Sequence, residues 1–577
     1  MPIEQRAGTA LLRLAGVFLL FVGVVGVVAP RDPNIYYSRW RVLLFLVVLA
    51  LGAAATVALA RRSRRPPSSR RLRLVSVGVT VAGSAVCTLL AWALRYDTQW
   101  DAGGVAAVSQ WLVDGHDPKP SMYGYLSQYP NNLPLLVVDN LCGEIGKLLH
   151  LAPGTVSVAL NGLALAVTMQ ATYWLVAMLR GPAHGLVAQV LVLALMGTSP
   201  WMAVAYTDLV AMPLVALGTA LTVAAPRARP GWPRALCAAS AVGCLLLAYE
   251  VKTTPVVSVV AVVLVVALAW RSTSVRVRRR LAVGTVAGLV LFAGGAVLAR
   301  QLTPAVAGVS AERIDRTRTP PTVWWVYMAV STHTKDGLVR YGAYSEDIVR
   351  ETRGMHREAA GRYAAAGLER RLSELGVTGV AGFLANKAAW NWGDGMFWAW
   401  GEGDDEHAAP LVHGPLTDNV RSWNHLGGAA YATRAALAEA LWLLLLLATG
   451  LRLLCGALAL GDRAAGAVRA GDRSVHPGLP GPVPLPDSLR PGGGGARDDA
   501  QRGRVAAART DDPHGRSRRA SHRRSRRVSR DIVRSTTSGV SGRVTTSSGE
   551  VGPPVSEALA RRSSRSAAKN GNTAANA

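Results

Sequence analysis

The chain has 577 residues, half of them hydrophobic, with a formal net charge of +27 and a mean hydropathy of +0.23. The apolar residues fall in blocks of about 20, the length a helix needs to cross a ~30 Å hydrocarbon core, which excludes an ordinary soluble multidomain protein. The basic charge gathers in short loops beside those blocks and in the tail after Gly461; clusters that flank apolar spans favour membrane topology over nucleic acid as their reason.

In chain order, the runs 11–29, 41–60, 74–94, 155–179, 186–206, 208–225, 235–250, 254–270, 281–300 and 436–460 are predicted to span the membrane. The expected fold is an all-α polytopic membrane protein. Residues 1–73 are two N-terminal spans and a basic cytoplasmic loop, and 74–300 a transmembrane module with one long loop, 95–154. Residues 301–435 are a Trp-rich segment, 436–461 the last span, and 462–577 a tail. The first run lacks a clear small-residue cleavage site, and "APRDPNIYYSRW" after it reads as a short turn. The loops "RRSRRPPSSRRLR" (61–73), "PRARPGWPR" (226–234) and "RSTSVRVRRR" (271–280) belong on the cytoplasmic side. Counting from them puts both termini in the cytoplasm of a plasma-membrane protein, and loops 95–154 and 301–435 outside.

The stretch 133–150 is apolar but carries Asp139, Glu144 and Lys147. A charge at mid-bilayer costs about 2.5–3.5 kcal/mol, so an amphipathic helix on the outer surface is expected instead of a span. The tail has too little apolar surface to offset its chain entropy and is expected to be disordered. Its run "RSRRASHRRSRRVSR" (516–530) suits anionic membrane lipids as well as it suits water. The five cysteines have neither zinc spacing nor a disulfide framework.

Candidate chemistry begins where the third run ends, at "RYDTQWDAGGVAA" (95–107). If the helix continued, Asp97 and Asp101 would share a face at i and i+4. Two carboxylates that close suit a general base; the same pattern fits a polar helix end in water. Gly103 and Gly104 would let a bulky substrate approach the backbone. The following loop holds Asp114, His116, Asp117, Lys119, Tyr123, Tyr125, Gln128, Tyr129, Asn131 and Asn132. Aromatic rings stack on the apolar face of a sugar and amides bond its hydroxyls, while Pro118, Pro120 and Pro130 stiffen the loop.

Four further places lie on the same predicted side. Tyr206 and Asp208 stand at a helix junction, where Asp208 serves equally as an N-terminal cap. Lys252, in "YEVKTTP", suits a lipid phosphate or a snorkelling role; Glu250, Thr253, Thr254 and Pro255 break the helix there, and polar non-helical backbone at a membrane rim lines a cavity. The stretch 319–349 starts as a short amphipathic or re-entrant piece. In 386–407, Trp390, Trp392, Trp398 and Trp400 alternate with Asp394 and Glu402, which reads as a saccharide or lipid platform. "GEGDDEH" (401–407) has the oxygens a hard cation takes. Adjacent loop residues seldom converge on one ion, so it reads as a solvated acidic turn; a divalent cation stays open and no cofactor is assigned. No P-loop or dinucleotide fingerprint offers a nucleotide-sugar site.

Asp101, Ala107, Leu112, Gly115, Asp117-Pro118 and Tyr129-Pro130 resemble the first external loop of GT-C glycosyltransferases, polytopic enzymes that take sugar from a polyprenyl phosphate. The seven runs between 74 and 300 match that superfamily's seven-helix module, with the first two spans an addition. Family members often carry an adjacent acidic pair in this loop, and residues 95–154 have none. The resemblance implies Asp101 as catalytic acid, with Asp97 its rival, and transfer, with inversion, to an envelope glycan, lipid or protein. His116, Asp117, Tyr129, Asn131, Asn132, Asp208, Lys252, Trp390, Trp392 and Asp394 are then the expected substrate contacts. The competing expectations are a transporter or flippase of lipid-linked saccharides and a non-catalytic envelope assembly protein.

Overall fold

The computed structural model describes residues 3–30, 37–62, 68–98, 100–270, 273–335, 338–397, 409–426 and 428–469. The α-helices are α1 Ile3–Val28, α2 Arg39–Arg62, α3 Ser69–Leu94, α4 Trp100–Val113, α5 Pro120–Gln128, α6 Leu133–Leu149, α7 Pro153–Arg180, α8 Pro182–Val192 and α9 Thr207–Ala224. They continue as α10 Trp232–Val251, α11 Val256–Ala269, α12 Val275–Val306, α13 Thr322–Val330, α14 Glu346–Glu351, α15 Arg357–Trp392, α16 Pro415–Asn424 and α17 Tyr431–Arg469. A small antiparallel hairpin, β1 Thr332–Lys335 and β2 Leu338–Tyr341, pairs Thr332 with Tyr341.

Local sequence punctuates these helices. Proline stands in the first two positions of α5, α6, α7, α8, α10 and α16, where no backbone N–H is needed. Ser68 caps α3 by accepting from the Arg71 N–H at 3.3 Å. Gly181, at φ 98°, makes the turn from α7 to α8, a conformation that other residues reach only with strain.

Among the described residues, eight helices are long and apolar enough to cross a membrane: those of α1, α2, α3, α7, α9, α10, α12 and α17. The shorter apolar stretch Val256–Ala269 coincides with the predicted run 254–270, while Pro182–Gly197 covers only the first part of the predicted run 186–206. The protein is thus an all-α polytopic membrane protein, as its hydropathy implies. Leu44, Leu51, Val257 and Val265 are among many exposed apolar side chains on α2 and α11, which suits helices facing lipid. The last span returns to the first two: Val22, Val42, Tyr431, Ala440 and Leu443 share one buried cluster.

Between α3, α7 and α8 the apolar packing is pinned by amides and hydroxyls. Gln189, fully buried, donates to the Ser76 carbonyl at 3.0 Å and to Thr80 Oγ1 at 2.5 Å, and Thr80 in turn donates to Gln170 Oε1 at 3.1 Å. Interhelical bonds of this kind contribute roughly 0.6–1.7 kcal/mol in a bilayer. Gln189→Leu is therefore expected to destabilise the bundle by about 1 kcal/mol, read as a lowered unfolding midpoint in detergent, with an unchanged midpoint as the contrary result.

Two expectations need revision. The chain does not stay helical past the third span: α3 stops at Leu94 and residues 95–98 run extended, with Tyr96 bridging Pro410 and Leu411 N–H bonding the Arg95 carbonyl at 2.9 Å. Asp97 and Asp101 therefore do not share a helix face; backbone pairing with a distant segment outcompetes helix continuation. The predicted tail also begins too early, because α17 runs through Arg469; the residues beyond lie outside the described ones.

Candidate functional site

α3 starts from a basic loop, so its far end lies at the opposite end of the bundle. There α4, α5 and α6 fold over the starts of α7 and α9. Asp101 sits in the first turn of α4. Its Oδ1 accepts from Tyr125 Oη at 2.7 Å, and Tyr125 Oη accepts from Asn132 Nδ2 at 2.6 Å. Asn132 is buried and also accepts from Asn131 Nδ2 at 3.1 Å. One relay therefore joins Asp101 to the Tyr-Pro-Asn-Asn stretch.

Aromatic rings surround that carboxylate. Tyr129 lies 5.5 Å from Tyr125 between ring centroids. Trp100 meets Tyr206 edge-on at 4.8 Å, and Tyr206 stacks on Trp201 at 6.0 Å. Burial, then Asp101, pushes the Tyr125 phenol far above its ordinary range, so it stays a donor. Burial raises Tyr129 and Tyr344 as well, and both feel the Asp101 charge. The Arg353 guanidinium is close enough to oppose the rise at both tyrosines. Tyr344 and Arg353 come from the loop before α14 and the turn after it, more than two hundred residues from Asp101 in sequence.

The segment 309–319 straps this assembly. Its backbone N–H groups at Ser310 and Asp315 donate to Tyr123 Oη at 3.2 Å and Ser127 Oγ at 2.8 Å. Arg313 pairs with Asp117 and lies over the Tyr123 ring at 3.9 Å. Trp100, just before Asp101, adopts φ 51°, a costly conformation for a residue with a side chain.

The predicted site residues divide. Asp101, Tyr129, Asn131 and Asn132 come together. Asp97 is exposed, its N–H bonded to the Ala409 carbonyl at 3.2 Å. His116 is exposed beyond the far end of α4, about 20 Å along the helix from Asp101, packed on Trp111 with ring centroids 5.0 Å apart. Asp117 is occupied by Arg313 and Tyr123. Asp208 and Lys252 pair with each other, and Lys252 lies 6.0 Å from the Tyr206 ring centroid. The cation is thereby balanced beneath the aromatic rim instead of standing alone.

The Trp platform is not where the alternation implied. Trp390 and Asp394 are buried, 3% and 2% exposed. The Asp394 turn packs on α17, where Gly395 N–H donates to the buried Glu439 Oε2 at 2.5 Å. Trp392 is exposed but meets Phe18 of α1 edge-on at 5.6 Å. Burial thus removes Trp390 and Asp394 from the substrate contacts. Trp398, Trp400, Glu402 and the acidic turn 404–407 lie outside the described residues. Among the described residues no cluster of three or more His, Cys, Asp or Glu is arranged to hold a metal.

Gly103 also has another purpose than the one expected. A Cβ there would stand 2.1 Å from the Thr98 carbonyl oxygen, so the missing side chain admits the chain's own backbone, not a substrate.

Beneath the site, α6 is the expected non-spanning helix, burying Leu135, Leu136 and Asp139 while Glu144 and Lys147 face out. Asp139 Oδ2 is buried without a partner, and burial pushes this carboxyl up to about 7. A carboxyl whose folded pKa exceeds its unfolded value contributes stability below the unfolded pKa and loses it as pH rises through the folded one. Unfolding midpoints are therefore expected to fall between pH 4 and pH 7, and Asp139→Asn to flatten that slope; an equal slope in both proteins would contradict this.

No curated protein and no solved structure matches the chain. A family model described as "Conserved hypothetical integral membrane protein" matches residues 36–453, from the second predicted span into the last. The match covers well over half of the chain, which belongs to this family of conserved integral membrane proteins.

Proposed function

We propose that the chain is a membrane glycosyltransferase of GT-C type, moving a sugar from a polyprenyl-phosphate donor to a cell-envelope acceptor on the external face. The observation that supports this reading is the relay Asn132–Tyr125–Asp101 inside a ring of tyrosines, at the end of the bundle remote from the basic loops. The positive-inside rule assigns that end to the exterior. Tyr129 and Tyr206 supply faces for a pyranose; the amide of Asn131, at the exposed edge, reaches its hydroxyls.

In the proposed reaction Asp101 takes the proton of an acceptor hydroxyl. The freed oxygen attacks the anomeric carbon, the bond from that carbon to the phosphate oxygen breaks, and polyprenyl phosphate leaves with the electron pair. Tyr125 orients the carboxylate and stays protonated throughout. Lys252 is already balanced by Asp208, so Arg353, whose charge reaches Tyr129 and Tyr344, is the cation assigned to the developing phosphate charge.

The test uses purified full-length protein in detergent, a labelled polyprenyl-phosphate sugar and an envelope extract. Label should enter an acceptor through a new glycosidic bond as free polyprenyl phosphate accumulates. Movement of intact donor across reconstituted vesicles without such a bond would support a flippase and end the glycosyltransferase reading. In the same assay Arg353→Gln is expected to raise the donor KM about tenfold, the worth of one charged hydrogen bond, and to change kcat less. Unchanged KM and kcat would exclude Arg353 from the phosphate.

A further inference from the structure

α3 and α7 pack closely where Gly162 meets Thr88, and their surfaces form an open groove along that seam. They leave an open apolar trench of about 660 Å³, running from Thr80 and Val81 to Trp92 and Thr155, with Ala85 and Ala159 along its sides. Along α3 this is twelve residues, about 18 Å of helix rise, or just over half of a ~30 Å hydrocarbon core. At its Trp92 end stands Arg95. The guanidinium carbon is 5.8 Å from the Trp92 ring centroid, and Nη1 lies 3.4 Å from where a Cβ on Gly154 would be. Gly154 immediately precedes Thr155 of the trench, so the cation and the trench mouth coincide.

Two features set Arg95 apart from an ordinary snorkelling cation. Its Nε is buried without a hydrogen-bond partner, and among the described residues no acceptor bonds its side chain. Burial also lowers its pKa, as expected for a charge that lacks a counterion. Moreover, it lies at the end of α3 opposite Arg70, Arg71 and Arg73, the side on which the positive-inside rule depletes arginine. A chain-length apolar trench ending on an uncompensated guanidinium is complementary to one kind of molecule.

We propose that this trench binds an anionic membrane lipid, its chain lying in the groove along the α3–α7 seam and its phosphate held by Arg95. Arginine suits a phosphate because its planar fork bonds two oxygens at once. Helix-flanked basic pockets at a membrane surface bind lipid head groups in this way. The site does not depend on the reaction assigned to Asp101 and is tested without it.

The test reconstitutes the full-length protein in vesicles of phosphatidylcholine containing a trace of photoactivatable lipid, with either a phosphatidylglycerol or a phosphatidylcholine head. Cross-linked peptides are then mapped by mass spectrometry. Phosphatidylglycerol should label residues 80–92 and 155–166 at least about tenfold more than phosphatidylcholine. Arg95→Gln should remove that preference and Arg95→Lys keep part of it. Ala85→Trp, at an exposed trench position, should block labelling of the trench while leaving the fold intact. Equal labelling by both lipids in the wild-type protein would overturn the proposal, even if the variants failed to fold. So would a preference that survives Arg95→Gln, or cross-links joining the trench to a second copy of the chain.

Discussion

Asp101→Asn is expected to lower the rate of sugar transfer about a thousandfold, within the range a positioned general base contributes. The substitution is nearly isosteric. The amide oxygen of Asn still accepts from Tyr125 Oη, now 2.7 Å from the carboxylate, so the relay to Asn132 and the fold around it persist. What is lost is the capacity to take a proton from the acceptor. Tyr125→Phe leaves the carboxylate but removes its orienting bond and the acceptor of Asn132, so a smaller loss of about tenfold is expected, in kcat and not in KM. Asp97→Asn is expected to be nearly silent, because Asp97 is exposed and off the helix that carries Asp101. Transfer at the wild-type rate in both Asp97→Asn and Asp101→Asn would remove the base from the mechanism.

Gly103→Ala is expected to destabilise the protein by about 1–3 kcal/mol, the usual cost of overpacking, and to lower transfer by roughly a hundredfold, the cost of a ~1 Å displacement of a catalytic group. The added Cβ would meet the Thr98 carbonyl oxygen at 2.1 Å, a backbone atom that cannot rotate aside. The start of α4 must move instead, and Asp101 moves with it. Gly104→Ala is the control: there the nearest neighbour, Tyr125 Cζ, is at an ordinary 3.9 Å, and little change is expected. If Gly103 made room for substrate, Ala would raise KM and leave the unfolding midpoint alone; that outcome would contradict the packing account.

The spans were legible in the sequence because hydropathy alone decides them. Where a helix has no water to bond to, twenty apolar residues leave the backbone no other solution. The helix Leu133–Leu149 stands apart from the candidate spans for the complementary reason, since its three charges are costly in lipid. The site was only half legible. Asp101, Tyr129 and Asn132 lie within one loop, so local order in the chain carries over into space. Tyr344 and Arg353 reach the same place through the fold of the second long loop, and no local pattern announces that. Tertiary pairing also redirected residues that looked available: Arg313 occupies Asp117, and Asp208 occupies Lys252. Trp390 and Asp394 misled because alternation of aromatic and acidic residues does not distinguish an exposed platform from a turn packed on α17. The break after Leu94 depended on residues 409–411, whose pairing has no signature near Asp97.

For a lipid-linked sugar of the outer leaflet to reach Asp101, the tyrosine-rimmed carboxylate must face the outside of the cell. Asn131 is exposed at its edge and Arg229 lies in a basic loop at the other end of the bundle. With a membrane-impermeant maleimide on intact cells, Asn131→Cys is predicted to label at once and Arg229→Cys only after permeabilisation. Labelling of Asn131→Cys that requires permeabilisation would place the carboxylate in the cytoplasm and contradict the account.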